Sequence, residues 1–343
     1  MAEALGTSVV IPTHQRREAL RRALLSLADQ TADAGAYEVI VSVDGSSDGS
    51  EEMLAALALP YELHVTASSP ARGRAAACNS ALALARGEVL VILDDDMQVV
   101  PEFLASHRAH HPAGSRRCVL GAAPIELDGA SPRAAHHVQE KFNSHLDRLA
   151  EPDHEFVPRD FYSGNASLRT EVMREVGGFS ESFTVYGNED IDLWLRLRAA
   201  GVQLSYEPLA LARQEYDKDL RALCRDAIQK GRTTVILAAI HPKVFPQLRL
   251  AQPWDGSRPW LAARAALLGL SRRLRALPGL VFAAAAGFER AGAWRSPLFY
   301  RAVLDFAFWA GVDAELHEST PEGEPSRLAR DLRRGPIDLL LHR

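Results

Sequence analysis

The sequence predicts an α/β protein with a mostly parallel central sheet flanked by helices, followed by a helical C-terminal extension. Three observations carry this. Short apolar runs alternate with helix-like runs over the first 120 residues, the pattern of βαβ units. Those runs are nearly continuous in apolar residues, which means strands buried on both faces. Beyond about residue 258, leucines and alanines punctuated by arginines recur at helical intervals.

In chain order, strands are expected at "SVVIP" (8–12), "YEVIVSV" (37–43), "YELHVT" (61–66), "EVLVIL" (88–93) and "CVLGA" (118–122). Between them, "RREALRRALLSLADQ" sets Leu20, Leu24 and Leu27 on one helix face with arginines opposite. "RAAACNSALALARG" reads as a small-residue helix ended by Gly87. From about 125 to 160 no period is visible, and loops with one helix near "HHVQEKFNSHLDRL" are expected. "VQLSYEP" gives a strand, followed by helices near 218–239, 259–276, 279–290 and 296–310. The expected division is a domain over 1–240, with halves at 1–122 and 123–240, then a helical extension over 241–314 and a charged tail over 315–343.

Composition excludes several function classes. A net charge of -5 with 47% hydrophobic and 24% charged residues gives no basic footprint for nucleic acid. Cys78, Cys118 and Cys224 lie far apart without CxxC spacing, so neither a disulfide framework nor a zinc knuckle is expected, and a cytoplasmic location fits. The N-terminus shows no basic n-region or long apolar h-region, so no signal peptide is expected. The apolar run from Leu277 to Phe288 has 12 residues, short of the ~20 a spanning helix needs. Charge is uneven, however: between Arg249 and Arg301 nine arginines face only Asp255 and Glu289, about +7. Arg264, Arg272, Arg273 and Arg275, beside Trp260 and several leucines, either lie peripherally on an anionic membrane surface or sit in water while the leucines pack inward.

Three stretches carry chemistry. In "GEVLVILDDDMQ" a buried strand ends in Asp94, Asp95 and Asp96, which repel one another unless a cation faces them. A hard divalent ion is commonly held by one or two such carboxylates plus substrate phosphates, and Asp94 and Asp96 can point the same way from an extended turn. In "VSVDGSSDGS", Asp44 follows a buried strand and either accepts hydrogen bonds from a nucleobase or ribose or forms an Asx turn, while Asp48 caps the next helix. In "YGNEDIDLWLRLRAAG", Glu189 and Asp190 open a helix, where the dipole favours acids, yet two acids exceed what capping requires. Ligands of open α/β sheets bind beyond the carboxyl ends of the strands, where Asp44 and Asp94 stand.

Taken in order, "VVIPTHQR", "VSVDGSSDGS", "RGRAAACNSALALARGEVLVILDDDM", "SGNASLRTEVMREVGGFSESF" and "YGNEDIDLWLRLRAAG" resemble the family-2 glycosyltransferases of the GT-A fold, from about Ser8 to Gln214. The resemblance implies a nucleoside-diphosphate sugar donor, UDP-linked by default, and a glycan, lipid-linked or small-molecule acceptor. Asp44 would bind the nucleoside, with Pro12, His14, Arg16 and Arg72 lining that side. Asp94 and Asp96 would form the DxD motif holding Mg²⁺ or Mn²⁺, Asp96 as the closer ligand, with Asp95 beside them on the donor side. Gly164 and Asn165 would lie under the sugars, Asp190 would be the base of an inverting transfer, and Glu189 would position the acceptor. Three positions depart from the pattern: Val43 for a second aspartate, Cys78 for a frequent arginine, and Gln214 for a histidine that approaches the metal. Competing readings are a catalytically silent sugar-nucleotide or glycan-binding module and a retaining transferase. A pyrophosphorylase or dehydrogenase would need a glycine-rich loop after the first strand, and "PTHQRREAL" contains no glycine.

Overall fold

The computed structural model describes residues 5–293 and 296–317. They form two units, the first through 131 with 138–184 and 189–217, the second from 132–137, 185–188 and the chain from 218 onward. The strands are β1 (Thr7–Thr13), β2 (Tyr37–Asp44), β3 (Glu62–Ser68), β4 (Val89–Leu93), β5 (Met97–Val99), β6 (Arg117–Gly121), β7 (Ile125–Glu126), β8 (Asn165–Arg169), β9 (Gln203–Glu207) and β10 (Ala212–Glu215). The first unit's main sheet runs β3-β2-β1-β4-β8-β6-β9, and a small second sheet runs β5-β10-β7. All six expected strands, "VQLSYEP" included, appear within two residues of their expected limits.

Side-chain alternation builds two cores, one on each face of the main sheet. Val9, Ile11, Val39, Val41, Val91 and Leu93 pack with Leu20, Leu24 and Leu27 of α1 (Arg17–Leu27). Val10, Ile40, Leu90 and Ile92 face the other way, onto Ala75, Cys78 and Ala81 of α3 (Arg74–Leu82). Each such fully buried leucine or isoleucine is worth about 1.5–3 kcal/mol. Tyr37 and Tyr61 donate their hydroxyls to the Leu27 and Leu24 carbonyls at 2.7 Å each, satisfying acceptors that the end of α1 leaves open.

The sheet is mixed because β8, absent from the expected strands, runs antiparallel between β4 and β6. Its sequence "NASLR" reads as polar, but Asn165 and Ser167 are buried, facing His107 on α4 (Phe103–Arg108) and His111 just beyond that helix. His107 contacts Ser167 Oγ and Asn165 Oδ1 at 2.8 Å each, and His111 contacts the same hydroxyl at 2.7 Å. This polar layer hides a strand from a reading based on apolar runs.

The remaining helices of the first unit include α2 (Ser50–Ala56), α6 (Thr170–Glu175) and α7 (Glu189–Ala199), with α5 (Arg133–Leu149) beginning in residues of the second. The second unit holds α8 (Leu220–Ile240), α9 (Arg258–Arg273), α10 (Leu277–Arg290) and α11 (Pro297–His317). The expected boundary at 240 therefore falls at 217, because α8 groups with the C-terminal helices. Gly231 and Gly311 explain this: a Cβ at either would strike backbone of the opposite helix, at Phe308 and Ile228, so α8 and α11 cross at bare backbone. Of the expected charged tail, 315–317 continue α11, and 318–343 lie outside the described residues.

Burial is the leading cause that pushes His107 down to about 4 and His111 to about 3. Both are neutral when folded, whereas an unfolded histidine takes up a proton near 6.5. The unfolded state binds more protons below that value, so stability is lost as pH falls from about 6.5 toward 4, by up to ~1.4 kcal/mol per pH unit for each histidine. Denaturant melts across this window should show that slope, and His111→Phe should roughly halve it, leaving the share of His107, while keeping the pH 8 value within a few kcal/mol.

Candidate active site

Strand register assembles the site. Parallel pairing sets Thr13 opposite Val43 and Val10 opposite Ile92, so β1, β2 and β4 end on the same side of the sheet. Antiparallel pairing of Leu93 with Asn165 then brings the next residues together, and the Asp94 N–H donates to the Gly164 carbonyl at 2.8 Å. A Cβ on Gly164 would collide with the Asp94 carboxylate, so only glycine leaves that carboxylate room. In the small sheet, Gln214 pairs with Met97, and the Glu215 N–H donates to the Asp96 carbonyl at 2.9 Å.

The three aspartates diverge onto different partners. Asp94 accepts from Arg74 Nη2 at 2.7 Å. Asp95, buried, accepts from Thr13 Oγ1 at 2.7 Å and lies 3.9 Å from Arg16. Asp96, also buried, accepts from Arg16 Nη1 at 2.6 Å and from the Gln214 amide at 3.3 Å. Burial first, and Asp96 second, push the Asp95 carboxyl up to about 7, against the pull of Arg16 and Thr13. Burial and then Asp94 likewise raise Asp96. Arginines hold this charge only in part.

Arg74, which sequence reasoning missed, links both sides of the site. Its Nη1 donates to Ser163 Oγ at 2.9 Å and to Asp190 Oδ1 at 3.4 Å, and lies 4.0 Å from Glu189 Oε1. Ser163 Oγ also donates to Asp190 Oδ1 in a short hydrogen bond. Burial opposes the arginine's charge, but Asp94, Asp190 and Glu189 more than offset it and raise its pKa well above the usual range. The signal was present: Cys78, standing where an arginine was expected, is one helical turn beyond Arg74 on the same face of α3. The Cys78 thiol is buried, which pushes it up to about 12, in keeping with a core role.

Other expected site residues are placed differently. The Asp44 carboxylate, expected to meet a nucleoside, accepts from Ser68 Oγ (2.9 Å), Arg72 N (2.6 Å) and Gly73 N (2.8 Å). Three of its roughly four acceptor sites are thus taken by the loop that leads into α3. Arg72 turns its guanidinium to Glu181 at 3.0 Å. Asn165 is a correction: it is 0% exposed and donates to the Ala122 and Ala210 carbonyls, so its amide belongs to the core and cannot lie under a sugar. Pro12 is buried within β1, while His14 is exposed and donates from Nδ1 to the Asp44 carbonyl at 2.5 Å. Asp48 accepts from the Arg17 N–H at 2.8 Å and the Ser50 N–H at 3.1 Å, serving the starts of α1 and α2 together.

Among the described residues, one set of three potential ligands converges, and it lies elsewhere: Glu38, Glu62 and His64. Arg86 already occupies it, donating to Glu38 Oε2 at 2.9 Å and to Glu62 Oε2 at 2.5 Å. At the site itself the donor set is two carboxylates, partly neutralised by arginine, which fits an ion that draws its remaining ligands from a substrate.

The chain is similar to known glycosyltransferases. The profile of glycosyl transferase family 2 matches residues 8–177, and that of the N-terminal domain of galactosyltransferase matches 147–216. An uncharacterized glycosyltransferase of Bacillus subtilis, YfnE, is 28% identical over 242 residues, covering 58% of this chain. The pre-mycofactocin glycosyltransferase of Mycobacterium tuberculosis is 29% identical over 315 residues, covering 89%. This chain spans 62% of the length of each of these relatives. Among solved structures, a mannosyltransferase from Pyrobaculum calidifontis in complex with GDP-Man and Mn²⁺ superposes with a TM-score of 0.58 at 19% identity, over 91% of this chain and 87% of that one. With its mixed sheet flanked by helices on a GT-A fold, the chain belongs to glycosyl transferase family 2.

Proposed function

We propose that the chain transfers a sugar from a nucleoside-diphosphate sugar, UDP-linked by default, to an acceptor hydroxyl with inversion. The observation that carries this is the Arg74 bridge, which ties the Asp94 carboxylate at the end of β4 to Asp190 at the start of α7. Donor-side and acceptor-side acids are thereby fixed within one guanidinium's reach.

In this reading Asp190 is the general base. Its Oδ1 is held by Ser163 and Arg74, while Oδ2 has no hydrogen bond among the described residues and is the oxygen open to a proton. The acceptor hydroxyl gives its proton to Asp190 as its oxygen bonds to the anomeric carbon. The bond from that carbon to the diphosphate breaks on the opposite face, releasing the nucleoside diphosphate and inverting the centre. A positioned base of this kind contributes about 10²- to 10⁴-fold. Glu189, buried at the same helix start, orients the acceptor side. A divalent cation, Mg²⁺ or Mn²⁺, held by Asp96 and Asp94, would screen the charge that develops on the leaving diphosphate. The relative of the same fold solved with GDP-Man and Mn²⁺ is in keeping with this reading.

Three outcomes are expected. In thermal-shift assays with UDP, GDP, CDP and dTDP, one diphosphate should raise Tm by several degrees only with Mn²⁺ or Mg²⁺, since saturation at ~100 Kd stabilises by about 2.7 kcal/mol. If no nucleotide shifts Tm, the sugar-nucleotide reading fails. Asp190→Asn should lower turnover by about 10²-fold or more while keeping that shift; retained turnover would remove Asp190 as the base. Arg74→Lys keeps a charge but cannot span Asp94, Ser163 and Asp190 together. Its turnover should fall roughly tenfold or more, and wild-type kinetics would show that the bridge is only structural.

A further inference from the structure

The second unit carries a surface that the proposed reaction does not use. On α10, Phe282, Ala285 and Ala286 face inward, while Gly279, Leu280, Ala283, Ala284, Gly287 and Phe288 are all exposed. Their spacing of three and four residues draws one stripe along the helix with no polar side chain in it. Leu280 is 65% and Phe288 63% exposed, and Leu274, in the preceding turn, is 54% exposed. A contiguous exposed apolar stripe on a helix marks an interaction surface.

The arginines of this region divide into two groups. Arg249 and Arg264 donate to Asp305 at 2.5 and 2.9 Å, and Arg272 pairs with Asp313, so these hold the helices together. Trp260 joins the first group, donating to Asp305 at 2.8 Å. Arg273, Arg275 and Arg290 are exposed and form no ion pair among the described residues, and they flank the stripe at its two ends. Apolar side chains with unpaired cations at both ends match a lipid surface, in which the side chains enter the acyl boundary and the guanidinium groups meet anionic headgroups. At 14 residues α10 is about 21 Å long, short of a ~30 Å hydrocarbon core, and no described helix is long and apolar enough to cross a membrane. The helix therefore fits a position lying on the surface.

We propose that α10 and the turn before it dock the protein peripherally on an anionic membrane surface, independently of the reaction assigned to the first unit. The full chain should float with vesicles of phosphatidylcholine and phosphatidylglycerol at low salt. Binding should fall at least tenfold with pure phosphatidylcholine or at high salt. Leu280→Ser with Phe288→Ser, at sites exposed enough to leave folding intact, should reduce binding at least tenfold with Tm unchanged. Arg273→Glu with Arg275→Glu and Arg290→Glu should do the same. Absence of binding to anionic vesicles at low salt would overturn the proposal, as would binding indifferent to both salt and the arginines. So would a wild-type oligomer that Leu280→Ser with Phe288→Ser converts to monomer without any vesicle binding, since the stripe would then be an interface between copies.

Discussion

Repulsion among the three carboxylates that end β4 is the constraint on which the site depends. Two unit charges 4 Å apart near a protein surface interact by about 4 kcal/mol, and three consecutive aspartates at the end of a buried strand cannot avoid one another. The chain answers with separation and countercharge. Asp94 is drawn to Arg74 on α3, Asp96 to Arg16 at the start of α1, and Asp95 against Thr13 at the end of β1. The remaining mismatch is visible in Asp95 and Asp96, whose carboxyls are still raised, first by burial and then by a neighbouring aspartate, Asp96 for the one and Asp94 for the other. Buried carboxylates whose charge is only partly offset in this way favour a further cation beside them.

The same constraint organises neighbouring backbone. Gly164 must lack a side chain because Asp94 occupies that space, and the antiparallel register of β8 is what brings the two together. Asp44 fixes the loop from Ser68 to Gly73, and that loop delivers Arg74 to the head of α3. The acid expected to touch a nucleoside thus supports the arginine that holds Asp94 and Asp190. Arg74 is consequently the point at which strand ends, loop and helix start are coupled.

Much of this was legible in the sequence because burial on both faces leaves continuous apolar runs, and the carboxylates follow those runs directly. "VVIP", "EVIVSV" and "VLVIL" located three strand ends, and with them Asp44 and Asp94. What escaped was set by tertiary pairing. β8 was hidden because Asn165 and Ser167 satisfy buried histidines, so its polarity mimics a loop. Arg74 was overlooked because expectation rested on position 78, and helix geometry lets a guanidinium reach the same place from one turn earlier. The grouping of α8 with α11 depends on contact at two glycines far apart in the chain. Of the arginine-rich segment, sequence revealed the excess charge but could not separate Arg264 and Arg272, which are internally paired, from Arg273 and Arg275, which are not.

In the proposed function, Asp94 and Asp96 hold a divalent cation in front of a bound diphosphate. An anomalous-difference map from crystals grown with Mn²⁺ and UDP or GDP would decide this. The map should show a manganese peak within direct ligand distance of Asp96, the 2.6 Å contact from Arg16 to Asp96 loosened, and Arg74 still bridging Asp94 and Asp190. A nucleotide bound at the strand ends with no manganese beside Asp94 or Asp96, or a peak only at Glu38, Glu62 and His64, would contradict it.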